Sequence, residues 1–211
     1  MKNYEVRLEI AGPYAMFTRP DTGSAFVSYP APTWSACKGM FECVARLKSA
    51  YIHPIKAEIC SPIIFHRYVT NYGGPLRKSN QLSKGASYQL GAFILIDVCY
   101  RIYGVVKELS APPKTKENHM HYLQDLFNRR LKTGRLYDTP CLGWREFVPN
   151  YMGLFRDNTS VQKSINEYIP SMLYSPFDKD MDGKSLTDEG NNAARFIRDI
   201  WIKEGVLNYV E

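Results

Sequence analysis

The stretch SYQLGAFILIDVCYRIYGVV, residues 87–106, constrains the fold of this chain more than any other feature. It is rich in β-branched and aromatic side chains, which favour an extended strand. The proline pair Pro112 and Pro113 follows shortly afterwards and ends the pattern. The sequence therefore predicts one long strand in the middle of the chain.

Hydrophobic spacing predicts the elements on either side of this strand. Val6, Leu8 and Ile10 alternate with charged residues, which is typical of a half-buried strand. Thr33 or Ser35 can cap a first helix, and Gly134 can end a second one. In chain order we predict a strand at 3–10, a helix at 33–50, a strand at 54–69 that breaks near Pro62, a helix at 117–132 and a strand around 144–148.

With the long strand included, the order of these elements is βαββαβ. We therefore predict an α+β fold with a ferredoxin-like (RRM-like) domain at 1–150. Residues 151–211 are predicted to form a small C-terminal β/α extension, with a hairpin around 171–178 and a helix at 191–205. The apolar stripe of that helix is interpreted as core, and consists of Phe196, Ile197, Ile200 and Trp201.

The composition indicates a globular protein with a polyanionic partner. Lysine and arginine number 27 against 21 acidic residues, which gives a net charge of +6. The five cysteines are scattered without CxxC spacing, so we expect reduced thiols and no structural zinc. The sequence has no apolar run of about 18 residues and no signal-peptide pattern, so we expect a cytoplasmic protein without a membrane partner.

The segment NRRLKTGRLYDTPCLGWREF, residues 128–147, carries four arginines and one lysine in twenty residues. A helix end explains Arg129 and Arg130, but not Arg145 beside the glycine and proline turns. Because guanidinium groups match phosphate oxygens in two-point geometry, we interpret the segment as a phosphate-binding surface. Arg19 and Lys38 are predicted to join it, while Arg46 and Lys48 are weaker candidates.

Aromatic residues offer a second means of binding RNA, because unpaired bases stack on aromatic rings. Tyr29 and Trp34 are the candidates for such stacking surfaces, and both are equally compatible with a place in the core. The sequence shows no P-loop, no GxGxxG and no GxSxG pattern, and we predict no cofactor.

Two further groups of residues carry potential chemistry. Residues 178–189, DKDMDGKSLTDE, match the spacing of a calcium loop, although an acidic surface turn is the preferred interpretation. His119 and His121 lie two apart on a helix, so they do not share a metal ion, and no metal site is predicted. One of them is a candidate for acid–base work on RNA.

Two long segments resemble the Cas-five (Cas5) family of CRISPR-associated proteins, in particular its subtype I-C branch. The first is FTRPDTGSAFVSYPAPTWSACKGMFE, residues 17–42. The second is residues 127–147, in which the following match: Phe127, Arg129, Arg130, Gly134, Pro140, Leu142, Gly143, Arg145, Glu146 and Phe147. The closing KEGVLNYVE is similar to the end of that branch, so the resemblance extends over most of the chain.

The resemblance implies an RRM-like (RAMP) fold and a role in antiviral defence. It implies binding of the 5′ handle of CRISPR RNA at one end of the Cascade complex. The partners would be the backbone subunit and the large subunit, with target DNA reached through the complex. For the I-C branch it also implies metal-independent cutting of the precursor RNA, in which a 2′-hydroxyl attacks the adjacent phosphate. A tyrosine, a lysine and a histidine are the residues that the resemblance implies for this step.

The sequence departs from the family pattern at the catalytic positions. The tyrosine position holds Ala45, and the positions of the Lys-His pair hold Tyr122 and Leu123. His121, with Lys116 supplying the charge, is the catalytic pair that we predict instead. The alternatives are a handle-binding subunit without catalysis and a generic RRM-like RNA-binding protein.

Overall fold

The computed structural model describes residues 4–23, 25–72, 79, 83–85, 88–109, 118–175 and 194–209. These residues contain two helices, α1 (Trp34–Val44) and α2 (His119–Thr133). The strands are β1 (Glu5–Ala15), β2 (Phe26–Val27), β3 (Ala50–Ile59), β4 (Phe65–Tyr72), β5 (Tyr88–Glu108), β6 (Tyr151–Gly153), β7 (Glu167–Ser175), β8 (Arg195–Lys203) and β9 (Val206–Asn208).

One sheet connects the strands in the order β6-β1-β5-β3-β9-β8-β7. Every pairing along this path is antiparallel. The predicted long strand is confirmed as β5, which pairs with β1, β3 and β4. The two-residue strand β2 also pairs with β5, in parallel orientation. The first half of β5 forms a long hairpin with β4, and its second half lies at the centre of the sheet.

Both helices begin close to the residues that their local signals predict, but α1 ends at Val44 and not at residue 50, since Ala45 is extended and Ala50 already belongs to β3. The Thr33 side chain accepts a hydrogen bond from the Ala36 backbone N–H and caps α1. Gly134 ends α2 in the left-handed conformation, with φ of 69°. The rings of Phe41 and Phe127 meet edge to face between the two helices, with centroids 5.7 Å apart.

The core lies between the helices and one face of the sheet. Val6, Leu8 and Ile10 of β1 point into it, as their alternation predicts. On the opposite face, the Glu9 carboxylate is fully buried and meets the Arg156 and Arg101 side chains at 2.6 and 3.2 Å. The segment after β6 covers this face, because the Phe155 ring lies beside both Arg7 and Arg101.

Two sequence-based predictions of structure are wrong. Residues 195–203 form strand β8, not a helix, and Trp201 is exposed between the buried Ile200 and Ile202. An extended strand suits these β-branched and aromatic residues. β7 and β9 provide the backbone hydrogen-bonding partners that the strand needs. The predicted hairpin around 171–178 is described only in part: residues 171–175 belong to β7, which pairs with β8 in antiparallel orientation, and residues 176–178 lie outside the described residues.

The predicted strand around 144–148 is the second error. This segment is a tight loop, in which the Leu142 N–H donates to the Phe147 carbonyl at 2.8 Å and the Phe147 N–H donates to the Trp144 carbonyl at 3.0 Å. The strand beside β1 is instead β6, paired at Glu9–Ala11. A mixed, sheet-dominated fold is thus established, with two helices in the part of the chain that the structure describes, while the division into 1–150 and 151–211 stays a prediction.

Candidate functional site

The two segments that carry the family resemblance meet at one groove. Residues 16–18 and the loop 141–144 form one wall, and α1 forms the other. The groove has a volume of about 380 Å³. Its lining consists of Met16, Phe17, Thr18, Thr33, Ser35, Ala36, Gly39, Met40, Cys43, Cys141, Gly143, Trp144 and Leu173. Hydroxyl groups and apolar surface are therefore both available to a bound molecule.

Three close contacts hold the first wall together. The Met16 N–H donates to the Leu142 carbonyl at 2.9 Å. The Trp144 indole N–H donates to the Thr18 hydroxyl at 3.0 Å. Gly143 has φ of 91°, and a Cβ at this position would lie 1.8 Å from the Met16 carbonyl oxygen. The groove therefore requires a glycine at 143, because any side chain would push the two segments apart.

Four aromatic residues form a cluster that includes the groove residue Trp144; they are Phe26, Tyr68, Trp144 and Phe147. The rings of Trp144 and Phe147 stack with centroids 5.7 Å apart and planes 18° from parallel. The Phe26 ring meets Trp144 edge to face, and the Tyr68 ring of β4 meets Phe147 in the same way. The cluster connects the loop to the β4–β5 hairpin. Sequence reasoning missed this role of Trp144 and Phe147, although both belong to the resembling segment.

Arg19 and Tyr29 are brought together, but the structure changes the interpretation of both. Two hydrogen bonds of 3.1 and 2.7 Å tie the Arg19 guanidinium to the Asp21 carboxylate, and the guanidinium lies 5.8 Å from the centre of the Tyr29 ring. Tyr29 is 2% exposed, and its hydroxyl accepts the Leu173 N–H at 3.1 Å. Burial raises the pKa of Tyr29 above its ordinary value. Tyr29 is therefore a core residue and not a stacking surface.

Trp34 is corrected in the same way, since only 5% of it is exposed. Its ring stacks on Tyr174 with centroids 4.3 Å apart, and its indole N–H donates to the Pro54 carbonyl. Both faces of a fully packed ring are occupied, so no nucleotide base can stack on it. The core alternative that the sequence left open is the one that the structure supports for both aromatic residues.

The remaining predicted cations differ in their freedom to bind phosphate. Lys38 forms an ion pair with Glu42 at 3.3 Å one turn along α1. Arg130 donates to the Val44 carbonyl at 3.3 Å, so it ties α2 to the end of α1. Arg129 and Arg145 are exposed, and each keeps its guanidinium at the surface. These two arginines are the best placed of the predicted set to bind a phosphate backbone.

Of the two predicted catalytic residues, His121 lies at the opposite end of α2 from Arg129 and Arg130. His121 is exposed, and its ring lies 6.2 Å from the Tyr4 ring. Lys116 lies outside the described residues, so its pairing with His121 stays a prediction. Of the family positions, Ala45 and Leu123 are buried, at 1% and 0% exposed, whereas Tyr122 is 51% exposed. Ala45 and Leu123 carry hydrocarbon side chains. Neither can exchange a proton with RNA.

His119 is a residue for which sequence reasoning left the role open. Its Nδ1 lies 3.0 Å from the Ser49 hydroxyl oxygen, which belongs to the link between α1 and β3. The signal that pointed to this histidine was its place at a helix start. No sequence signal pointed to Ser49, because the contact joins positions seventy residues apart.

The described residues of the groove indicate neither a reactive thiol nor a metal site. Burial raises the pKa of Cys43 to about 11 and also raises the pKa of Cys141, so both thiols stay protonated at neutral pH. Among the described residues, no three side chains of the metal-binding types come together. The acidic loop 178–189 lies outside those residues. None of the described helices is long and apolar enough to span a membrane.

Comparison with known proteins identifies the family. Residues 5–202 match the family model described as CRISPR-associated protein (Cas_Cas5), of the Cas5d type. The chain belongs to the Cas5 family of CRISPR-associated proteins. The family predicted from the two resembling segments is thereby confirmed, and the match extends through the region in which the sequence placed a separate extension.

Two curated relatives carry the same name, CRISPR pre-crRNA endoribonuclease Cas5d. The protein from Mannheimia succiniciproducens is 29% identical over 96% of this chain and 93% of its own length. The protein from Thermus thermophilus is 29% identical over 67% of this chain and 61% of its own length. A crystal structure of a CRISPR-associated protein aligns with a TM-score of 0.68 at 16% identity, and covers 98% of this chain and 92% of the other. That likeness supports the fold.

Proposed function

We propose that this chain binds the repeat-derived 5′ handle of CRISPR RNA and cuts the precursor RNA. The observation that carries the proposal is the meeting of residues 16–18 and 141–144 at one groove. Phe17, Thr18 and residues 141–144 belong to the two segments that carry the family resemblance. The relatives named as pre-crRNA endoribonucleases, one of them matched over 96% of this chain, support the cutting step.

The partners follow from the same proposal. The chain would occupy the end of a Cascade complex, beside its backbone and large subunits, and reach target DNA only through the complex. The net charge of +6 supports an RNA partner. We also infer that β6-β1-β5-β3, with α1 and α2 as crossovers, is a ferredoxin-like unit, because its strand order and antiparallel pairings fit that fold.

A generic RRM-like binder is disfavoured by the face of the sheet opposite the helices. Such a protein stacks bases on aromatic residues exposed on that face. Here the Phe155 ring and the ion pairs of Glu9 occupy it. RNA would instead be held at the groove and at the exposed arginines of the 128–147 segment.

Binding without cutting is the second candidate function, and one observation favours it. Ala45 and Leu123, at the positions where the resemblance expects a tyrosine and part of the Lys-His pair, are buried in the core. The protein would then hold the guide RNA while a separate nuclease makes it. The two candidates share the binding step and differ only in the chemistry.

Charge reversal at Arg129 and Arg145 tests the binding step. Both side chains are exposed, so Arg129→Glu with Arg145→Glu should leave the fold intact. We expect weaker binding of repeat RNA in a salt titration, and a slope of log K against log salt that is smaller by about 1.4 if two phosphate contacts are lost. Arg198→Glu, on an exposed position of β8, is the control for charge. An unchanged affinity and slope in the double variant would refute the assignment of this surface.

Incubation of the purified chain with end-labelled repeat RNA and excess EDTA tests the cutting step. A single cut within the repeat supports the nuclease proposal. Tight binding of intact RNA would refute it and leave the binding subunit. Because affinity and cutting are measured on the same RNA, the two halves of the proposal can fail separately.

A further inference from the structure

We propose that Cys60 and Cys99 form a reversible disulfide site, which a peroxide oxidises and which fastens the base of the β4–β5 hairpin. Cys60 directly follows β3, Cys99 belongs to β5, and both thiols are free in the structure. Neither residue lines the groove. The inference therefore does not depend on the binding or cutting of RNA.

The first argument is that the two cysteines lie opposite each other on neighbouring strands. Ile59 of β3 pairs with Tyr100 of β5 in antiparallel register. The Cys60 N–H donates to the Cys99 carbonyl at 2.8 Å, so the pairing continues by one residue. Residues directly opposite in such a pair have Cα atoms about 4.5–5.5 Å apart. That separation falls within the range of about 4.4–6.8 Å that a disulfide spans.

The second argument concerns the charge around the Cys99 sulfur. The Arg156 Nη2 lies 3.7 Å from this sulfur. The hydrogen bond with the Cys60 thiol, together with the Arg156 guanidinium, lowers the pKa of Cys99 below its ordinary value, although burial and the Glu9 carboxylate oppose the shift. Arg101 and Arg156 offset the charge of Glu9 through ion pairs. Because the thiolate is the reactive form, Cys99 is the attacking residue of the pair.

The third argument is selectivity among the five cysteines, all of which the structure describes. Burial raises the pKa of Cys37 to about 12 and that of Cys43 to about 11, and it also raises the pKa of Cys141. These three thiols stay protonated at neutral pH. Cys99 is 8% exposed, but its partner Cys60 is partly exposed. A small oxidant can therefore approach the pair from the side of Cys60.

The reaction proceeds in two steps. The Cys99 thiolate attacks one oxygen of hydrogen peroxide, the O–O bond breaks, and a sulfenic acid and hydroxide form. The Cys60 sulfur then attacks the Cys99 sulfur, the S–O bond breaks, and the thiol proton of Cys60 leaves with the hydroxyl group as water. Two thiols and one peroxide thus give one disulfide and two waters. A thiol reductant reverses the change by attack on the disulfide.

The position of this bond explains its expected effect on the fold. The β4–β5 hairpin begins with the pair Phe65 and Leu95, and residues 60 and 99 flank that hairpin on either side. In the reduced protein, the Cys60 N–H holds its base through the Cys99 carbonyl, and the Cys99 N–H donates to the Ser61 hydroxyl at 2.9 Å. A cross-link would close the loop that contains the hairpin, which stabilises the folded chain by constraining the unfolded one.

Peptide mapping of the oxidised chain tests the site. The full reduced chain is treated with hydrogen peroxide, its remaining thiols are blocked with N-ethylmaleimide, and its peptides are analysed by mass spectrometry without reduction. We expect one bridge, between Cys60 and Cys99, with maleimide on the other three cysteines, and we expect dithiothreitol to remove the bridge. A bridge between Cys43 and Cys141 instead would overturn the inference. Five labelled cysteines, at a peroxide dose that fully oxidises free glutathione, would do the same.

Single variants separate the roles of the two sulfurs. Cys60→Ser should stop at the sulfenic acid of Cys99, which dimedone traps, whereas Cys99→Ser should give no sulfenic acid at Cys60. Cys43→Ser, which removes the competing pair, is the control and should still form the bridge. Each reduced variant should melt within a few degrees of reduced wild type, which confirms its fold. Dimedone on Cys60 in Cys99→Ser, with none on Cys99 in Cys60→Ser, would refute the assignment of Cys99 as the attacking residue.

Thermal unfolding tests the effect on the hairpin. Oxidation should raise the Tm of the wild type by about 4–16 °C, because the new bond constrains the unfolded chain. The same treatment should leave the Tm of Cys60→Ser unchanged, since that variant cannot close the loop. An oxidised wild type that carries the mapped bridge but melts at the temperature of the reduced protein would contradict the proposal that the bond fastens the hairpin.

Discussion

Substitution of Gly143 by alanine is the most direct test of how the groove is built. A Cβ at this position would lie 1.8 Å from the Met16 carbonyl oxygen and 2.6 Å from its carbonyl carbon. Both are backbone atoms, so no side-chain rotation can relieve the overlap. The loop must therefore move away from residues 16–18, and the hydrogen bond from the Met16 N–H to the Leu142 carbonyl must lengthen or break.

The expected cost follows from two contributions. An alanine in the left-handed region costs about 1–2 kcal/mol. The lost hydrogen bond between Met16 and Leu142 adds about 1 kcal/mol. We therefore expect Gly143→Ala to reduce the free energy of unfolding by about 2–3 kcal/mol, which lowers the Tm by about 4–12 °C for a chain of this size.

Gly134→Ala is the matched control for this experiment. Gly134 also has a positive φ, of 69°, but a Cβ there would meet nothing within 4 Å. It should cost about 1 kcal/mol, from backbone conformation alone. Urea unfolding and binding of repeat RNA are measured on both variants. Equal destabilisation by the two substitutions would refute the reasoning, because the contact with Met16 would then contribute nothing.

Two other substitutions give independent expectations. Glu9→Gln should destabilise the fold by about 2 kcal/mol at neutral pH, since Arg101 and Arg156 lose their buried carboxylate but remain partly exposed. Burial alone would raise the pKa of Glu9, but hydrogen bonds from Thr159, Arg156 and Arg101 outweigh it and hold the pKa below its ordinary value of 4.5. The difference in the free energy of unfolding between wild type and variant should therefore shrink as the pH falls below 4.5, as measured by chemical denaturation. Gly39→Phe should weaken RNA binding in a filter assay without lowering the Tm. Gly39 lines the groove, and a Cβ added there would meet nothing within 4 Å. Gly39→Ala, the control, should leave the affinity near that of wild type.

Local signals were sufficient to predict the start of α1, the end of α2 and the long strand. Thr33 and Gly134 are caps whose effect depends only on neighbouring residues, and both act as predicted. The strand β5 is dense in β-branched and aromatic residues, and no competing helical spacing confuses it. The family followed from the two long segments, since their residue spacing is specific.

Contacts between residues far apart in the sequence determine the features that local patterns did not predict. Ile197, Ile200 and Trp201 fit a helical stripe, but β7 and β9 make an extended chain more stable there. Tyr29 and Trp34 looked equally suited to stacking or to the core, and only packing against Leu173, Tyr174 and Pro54 decides for the core. The bond between Ser49 and His119 is of the same kind, because nothing near either residue in the sequence indicates it.

The residues of the two family segments divide into those that build the groove and those that remain available to RNA. Phe17, Tyr29, Leu142 and Phe147 are at most 4% exposed, so their role is to shape the walls. Gly39, Arg129 and Arg145 are exposed and can meet a ligand directly. A loss of RNA binding in a variant of the first group is therefore expected to follow its loss of stability, whereas a variant of the second group should lose affinity at full stability. Measuring both quantities for each variant distinguishes a damaged scaffold from a lost contact.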